Sequence, residues 1–442
     1  MNLDIELVHK LQIMREWFLI HQASDKVIYI IGFLIFMSLL VVLLAKRFHV
    51  PIVVGYVFLG IALSVNIIEW LPFLSEEAKE WYAFTTESFD YIATFALAFI
   101  AFTIGSELSV KILRSLGKKI IYIAILEATG AFIIVALATF AITKTLYLSL
   151  VLGAIASATA PAATVMVLKE YNAEGLLTSM ILAIVGIDDA IALIIFSLVE
   201  PLALGLYLGQ GDISIVHALV APTIEIGGSI LAGLLIGYFS QKFISNMEDK
   251  TKKILTLVST IVGGSAIAIF LHLSPLITNM FIGFAYRNFA RKNLGIAEYM
   301  ETLTVPLYAL FFILAGTEIR LDSIASAGFL ILAFVYTIAR VIGKVGGASL
   351  GAHLSDAPEK IKKYVGLGLL PQSGVAIALA YTVQKHFIGG ESSLTVFNNI
   401  PLSDNVGLLV FNTLLFTAAL TEVFGPLATK YAITKAGEIG EH

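Results

Sequence analysis

Apolar stretches of roughly twenty residues, each long enough to cross a lipid hydrocarbon core, recur along nearly the whole chain and limit its fold more than any other feature. Such a segment crosses a bilayer as a helix, because each backbone N–H and C=O must then find its partner inside the segment. Charged or turn-rich breaks separate thirteen candidate spans, approximately 27–45, 51–68, 89–108, 119–142, 146–168, 176–199, 215–241, 253–272, 275–288, 303–319, 325–350, 364–384 and 405–429. Only 14% of the 442 residues are charged, against about a quarter in soluble proteins. The expected fold class is therefore an all-α polytopic membrane protein with about 13 transmembrane helices. The N-terminal stretch "MNLDIELVHKLQIMREWFLIHQASDK" intersperses charges where a signal peptide has one apolar core, and reads as an interfacial lead-in. The absence of cysteine excludes disulfides and thiolate chemistry. No basic block points to nucleic acid.

Lys and Arg test the span count. With loops assigned alternately to two sides, nineteen of the 28 fall on the side that begins with Lys46 and Arg47, and seven on the other. The positive-inside rule makes the richer side cytoplasmic, with the N-terminus outside and the C-terminus inside. An error of one span in the middle of the chain scrambles this asymmetry. The two basic residues left over, Arg340 and Lys344, lie within span 11.

Short segments repeat in the same order along the chain, two at offsets of 211 and 210 and a third at a looser one. Gly105 and Glu107 in "FTIGSEL" match Gly316 and Glu318 in "LAGTEI", Pro161 in "SATAPAAT" matches Pro371 in "LLPQSGVA", and "PIVVGYVFLG" from Pro51 resembles "PLITNMFIG" from Pro275. Seven spans separate the partners of each match, so the copies cross in opposite directions, the inverted repeat of many secondary transporters. The matched prolines each break a helix in mid-span, and interrupted segments at corresponding positions point to a binding site near the midplane. That places Ser157, Thr159, Ala160 and Pro161 at one break and Pro371, Gln372 and Ser373 at the other.

In "AIVGIDDAIALII", Asp188 and Asp189 lie inside span 6. Each Asp, Lys or Arg at a helix centre costs about 2.5–3.5 kcal/mol on insertion scales, so such residues pair or line a cavity. Arg340 and Lys344 are spaced i,i+4 and share a helix face. The two aspartates point about 100° apart, so one is expected to meet a cation of span 11 and the other to face a cavity. There a desolvated monovalent cation competes with a proton for the same oxygens. Glu127 in span 4 is the expected partner of Arg340, because spans 4 and 11 are repeat counterparts. Glu225 and Glu422 are further intramembrane acids. Glu107, Glu318, His217, His272 and His353 lie near span ends, and no His pair has metal-ligand spacing.

Together with "GIDDA" in span 6 and "ARVIGKVGGASLGA" in span 11, the segments quoted above resemble the monovalent cation/proton antiporter superfamily (sodium/proton exchangers), most closely its bacterial branch with paired aspartates. The resemblance covers most of the chain. It implies one membrane transporter domain over 1–442, with a dimerisation part at about 27–68 and 215–288 and an ion-translocating core at about 89–199 and 303–429. Spans 5 and 12 are then discontinuous helices that cross beside the aspartates, and the protein is a homodimer in the plasma membrane that contributes to pH homeostasis. Asp189 maps to the ion and proton carrier and Asp188 to the partner of Lys344, although Arg340 stands one turn away. Asp188, Asp189 and Thr159, with Ser157, become the ligands of Na⁺ or a similar ion. Relatives that carry an Asp just before the proline of span 5 use it near the site, and Ala160 replaces it here. About a dozen residues follow span 13, so no soluble regulatory domain is expected.

The implied function is secondary active exchange of a monovalent cation, Na⁺ first, for H⁺ by an elevator-like alternating access, with two protons per ion and net charge movement. K⁺/H⁺ exchange or an electroneutral stoichiometry is the alternative. Neither enzymatic activity nor a cofactor is expected. An intramembrane aspartyl protease also uses two buried aspartates, but on facing helices, whereas these are adjacent on one helix. A cation channel differs in moving ions without protons. A symporter of an organic anion is a third alternative on a related inverted-repeat fold.

Overall fold

The computed structural model describes residues 31–45, 47, 52–64, 67, 90–111, 117–208, 215–290, 295–317, 326–372, 374–388, 394–397, 400–402 and 405–440. The N-terminal lead-in, Glu318 and Ser373 lie outside the described residues. The chain divides into two units, Met1–Thr94 with Val305–Glu318 and Phe95–Thr304 with Ile319–His442.

The first unit holds α1 (Ile31–Ala45), α2 (Ile52–Ala62), the first residues of one helix described below, through Thr94, and the end of another. The described residues of the second unit are helical apart from turns and one short antiparallel strand pair. In order come α3 (Asp90–Glu107), α4 (Lys118–Thr143), α5 (Leu146–Ala156), α6 (Pro161–Glu170), α7 (Leu176–Tyr207), α8 (Ile215–Ser245), α9 (Lys250–Phe270), α10 (Pro275–Phe289) and α11 (Ile296–Thr317), whose residues from Val305 onward belong to the first unit. Then follow α12 (Ala327–Leu354), α13 (Glu359–Tyr364) with a 3₁₀ turn over Val365–Leu369, α14 (Gly374–His386), the strands β1 (Thr395–Val396) and β2 (Ile400–Pro401), and α15 (Val406–Ala436). The antiparallel β1–β2 pair was not legible as strand, because two residues per strand carry no period.

Among the described residues, six helices are long and apolar enough to cross a membrane, and seven if the stretch from Glu359 to His386, bent by 49°, is one span. Shorter apolar helices at Ile31–Ala45, Leu146–Ala156 and Thr302–Thr317 fall within the expected spans 1, 5 and 10. The chain is a multi-pass membrane protein. Its surface keeps large apolar side chains, among them Leu231, Phe239, Leu255 and Phe270 on α8 and α9, as lipid-facing helices do.

Glycine decides how closely the helices approach. α12 lays Gly343, Gly347 and Gly351, one per turn, against α4: a Cβ on Gly347 would stand 2.2 Å from the carbonyl oxygen of Leu126, and one on Gly343 2.7 Å from that of Gly130. Small residues four apart let membrane helices touch backbone to backbone. Gly347→Ala is therefore expected to force α4 and α12 apart and cost about 1–3 kcal/mol, the range for overpacking. Gly346 is the control, because a Cβ there meets nothing within 4 Å. Gly346→Ala should leave thermal stability unchanged or raise it, as removal of a mid-helix glycine does.

Two similar contacts occur elsewhere. In the first unit, a Cβ on Gly60 would stand 2.1 Å from the oxygen of Ile313, and one on Gly316 2.4 Å from that of Val57. In the second, Gly283 is just as tight against Phe102 and Gly105 against Met280.

The aspartate-bearing helix α7 starts after Gly175, which has no side chain to cap it. Glu438, beyond the end of α15, supplies the cap: its carboxylate accepts from the backbone N–H of Leu177 and of Thr178, both at 2.8 Å, and from the Thr178 hydroxyl at 2.9 Å. An anion at a helix N-terminus satisfies otherwise orphaned donors.

Candidate functional site

Two helices stop where the sequence inserts Pro, Ser and Thr. α5 ends at Ala156, and α6 begins at Pro161, where a missing N–H does no harm. Ala160, as the residue before a proline, is steered away from helical geometry. Between them Ser157 turns its hydroxyl back onto the Ala154 carbonyl at 2.5 Å, the local competition that weakens a helix. The second break lies between Leu369 and Gly374 and includes Leu370, Pro371 and Gln372. Gly425 on α15 makes room for the Pro371 ring, since a Cβ there would stand 2.5 Å from Pro371 Cγ.

The two unwound stretches bond to each other. Ala160 donates its N–H to the Pro371 oxygen at 2.9 Å. The Thr159 hydroxyl donates to Leu369 O at 3.3 Å and the Thr164 hydroxyl to Gly368 O at 2.8 Å. Gln372, fully buried, donates Nε2 to Ile155 O at 3.0 Å and exchanges a further hydrogen bond with the Tyr336 hydroxyl. Each break thus frees carbonyls, which a buried membrane site must satisfy.

Arg340 and Lys344 of α12 do so, both with no exposed surface. The Arg340 guanidinium donates through Nε to Ala156 O at 3.0 Å, through Nη1 to Leu370 O at 2.5 Å, and through Nη2 to Ala158 O at 2.7 Å and Pro371 O at 3.4 Å. One side chain thereby binds both breaks. The Lys344 ammonium, one turn on, donates to Ser157 O at 2.5 Å, Thr159 Oγ1 at 2.6 Å and Asp188 Oδ2 at 2.8 Å, and it lies 2.8 Å from Glu127 Oε2.

These contacts decide between the two cations of span 11, and Asp188 pairs with Lys344. They also correct the expectation that Glu127 meets Arg340, because Glu127 lies on Lys344. The glycine contact explains the difference. A Cβ on Gly347 would stand 2.8 Å from the Cα of Glu127, so Glu127 faces α12 beyond Arg340, near Lys344. The Arg340 donors, meanwhile, are engaged by four carbonyls.

Glu127, Asp188, Ser157, Thr159 and Gln372 are all buried around this crossing, and Asp189 is half-buried on the next position of α7. Glu422 on α15 is buried as well and acts electrostatically on Arg340. Two wholly buried carboxylates, Glu127 and Asp188, thus share the one ammonium of Lys344, since the Arg340 donors go to carbonyls. Thr159, expected as a ligand of the transported ion, holds the Lys344 ammonium here. Tyr336 and the glycines of α12 escaped the sequence reading. The spacing of Gly343, Gly347 and Gly351 was the available signal, whereas nothing in the sequence singled out Tyr336.

A family model described as sodium/hydrogen exchanger, transmembrane, matches residues 33–430. The Na(+)/H(+) antiporter NhaH of Halobacillus aidingensis is 25% identical over 386 residues, spanning 84% of this chain and 92% of that protein. The ammonium/H(+) antiporter subunit AmhT of Alkalihalophilus pseudofirmus is 22% identical over 329 residues, 71% of this chain and 78% of that one. Among solved structures, the sodium proton antiporter MjNhaP1 from Methanocaldococcus jannaschii at pH 8 superposes with a TM-score of 0.73 at 18% identity, covering 95% of this chain and all of that one. At that identity the likeness speaks for the fold.

Proposed function

The chain belongs to the sodium/hydrogen exchanger family, and from that premise we propose that it exchanges Na⁺ for H⁺ across the plasma membrane, with Asp189 as the site where ion and proton alternate. The observation that carries this reading is that two wholly buried carboxylates, Glu127 and Asp188, share the single Lys344 ammonium at the crossing of the two breaks, with Asp189 at the next position of α7. An uncompensated negative charge in a membrane interior is costly. A proton relieves it, and so does a monovalent cation, and each makes the other unnecessary. Ion and proton therefore compete, and that competition couples their flows in opposite directions.

Lys344 carries the second proton of the cycle. Its ammonium binds Asp188 and Glu127 when no ion is present, and it gives up its proton when the arriving cation takes its place beside Asp188. Two protons then move against one cation, and the exchange is electrogenic. Ser157 and Thr159 supply further oxygens once Lys344 has withdrawn. The core at about 89–199 and 303–429 carries the site from one face of the membrane to the other, past a dimerisation part at 27–68 and 215–288. The inverted repeat of thirteen spans, with the N-terminus outside and the C-terminus inside, is supported by the glycine contacts: Gly60 with Gly316 pairs spans 2 and 10, and Gly283 with Gly105 pairs their counterparts 9 and 3.

The test is reconstitution into liposomes with an internal pH dye. External Na⁺ should alkalinise the lumen, and a voltage imposed by a potassium ionophore should change the rate. Na⁺ entry without proton exit contradicts antiport. Because a relative is named for ammonium, K⁺, Li⁺ and ammonium are assayed in parallel. A larger response to one of them reassigns the cargo and leaves the exchange site intact.

A further inference from the structure

Arg340 raises a question that the exchange cycle does not answer, since it pairs with none of the carboxylates that the cycle uses. Its guanidinium is wholly buried and donates to four backbone carbonyls, those of Ala156 and Ala158 from one break and Leu370 and Pro371 from the other. Carbonyl oxygens that converge from an unwound backbone are the groups with which membrane proteins replace the hydration shell of a monovalent cation. We propose that the two breaks together build a carbonyl-lined cation site, and that the Arg340 side chain is the tethered cation which permanently fills it.

Two properties favour a guanidinium here. Its five donors form a planar fork on three nitrogens and span both breaks, whereas an ammonium has three donors on one nitrogen. It also remains charged at any physiological pH, so this cation never leaves. The consequence for the neighbouring site is exclusion. With these four carbonyls occupied, the breaks offer a transported ion no backbone cage, and it is left with the side-chain oxygens around Asp188 and Asp189 and the Ser157 carbonyl that Lys344 covers. Arg340 is thus a positioning residue that holds the breaks together and keeps the cargo off them.

Truncation by Arg340→Ala empties the cage but leaves its walls, and the missing group exists as a free molecule. The experiment measures the thermal stability of the purified full-length variant in millimolar guanidinium chloride, with equal concentrations of sodium chloride, potassium chloride and urea alongside. Urea has nearly the shape of guanidinium without the charge. A ligand that binds only the folded state stabilises in proportion to its occupancy, so guanidinium should return at least half of the lost melting temperature while urea and the alkali salts return little. The parent protein, whose cage is full, should not respond. Equal responses to guanidinium and urea, or to guanidinium and sodium, overturn the proposal.

If the alanine variant cannot be purified in plain buffer, adding guanidinium during membrane extraction makes the same comparison. Recovery with guanidinium alone supports the cage, and no recovery, or recovery with urea as well, overturns it. Arg340→Lys gives a second check, since an ammonium satisfies fewer of the four carbonyls and should regain part of the stability at most. Full stability in the lysine variant overturns the cage. The readout is binding and not transport, so a failed exchange assay leaves this result standing, and the converse also holds.

Discussion

Asp189→Asn is expected to reduce cation-driven proton movement to the level of protein-free liposomes while the protein remains folded. Asn has the size of Asp and keeps one carbonyl oxygen, but it neither binds a proton nor presents a negative charge to an ion. Both halves of the exchange then lose the same group. Stability should hold, because an ionised Asp in mid-membrane itself costs about 2.5–3.5 kcal/mol on insertion scales and Asn removes that charge. The check pairs the dye assay with a melting curve. Lost transport with an unchanged or higher melting temperature is the expected result, and preserved ion-driven proton flux would remove Asp189 from the role of carrier.

Lys344→Gln should have the largest effect on stability. The substitution removes the cation that lies 2.8 Å from both Glu127 and Asp188, two carboxylates with no exposed surface. Breaking a buried pair leaves uncompensated charge and costs about 3–5 kcal/mol, here with two anions stranded. Adding Glu127→Gln to the same protein should recover part of the loss, since one of them is then neutral. Groups sharing one partner couple in this way, and a double-mutant cycle measures the coupling. If the losses simply add, Glu127 and Lys344 do not act as a unit. The transport readout is separate: where the variant still exchanges Na⁺ for H⁺, the rate should no longer depend on membrane voltage. Unchanged voltage dependence would show that Lys344 is not the second carrier.

Much of this site was readable from residue types alone. Charges in apolar spans are rare enough that Asp188, Asp189, Arg340 and Lys344 identified themselves, and the two prolines marked breaks that the structure also shows at Ala156–Pro161 and Leu369–Gly374. The division of labour between the cations was not readable. Residues four apart share a helix face, and sequence spacing does not say which of them lies level with a given carbonyl. Glu127 shows the same limit: repeat correspondence named the right helix, α12, but the depth of Glu127 along it follows from the close approach at Gly347. The cap from Glu438 joins residues about 260 apart and leaves no local pattern. Thr159 illustrates a different difficulty, since a hydroxyl suited to an alkali ion suits an ammonium equally well.

The competition of ion and proton at Asp189 is tested most directly on the purified protein, with neither membrane nor gradient. Na⁺ is added in weakly buffered solution at neutral pH while the heat of binding and the acidity of the medium are followed together. At least one proton should be released per Na⁺ bound, both signals should saturate at the same Na⁺ concentration, and Asp189→Asn should release none. Saturable Na⁺ binding by the parent protein with no release of protons would contradict the account.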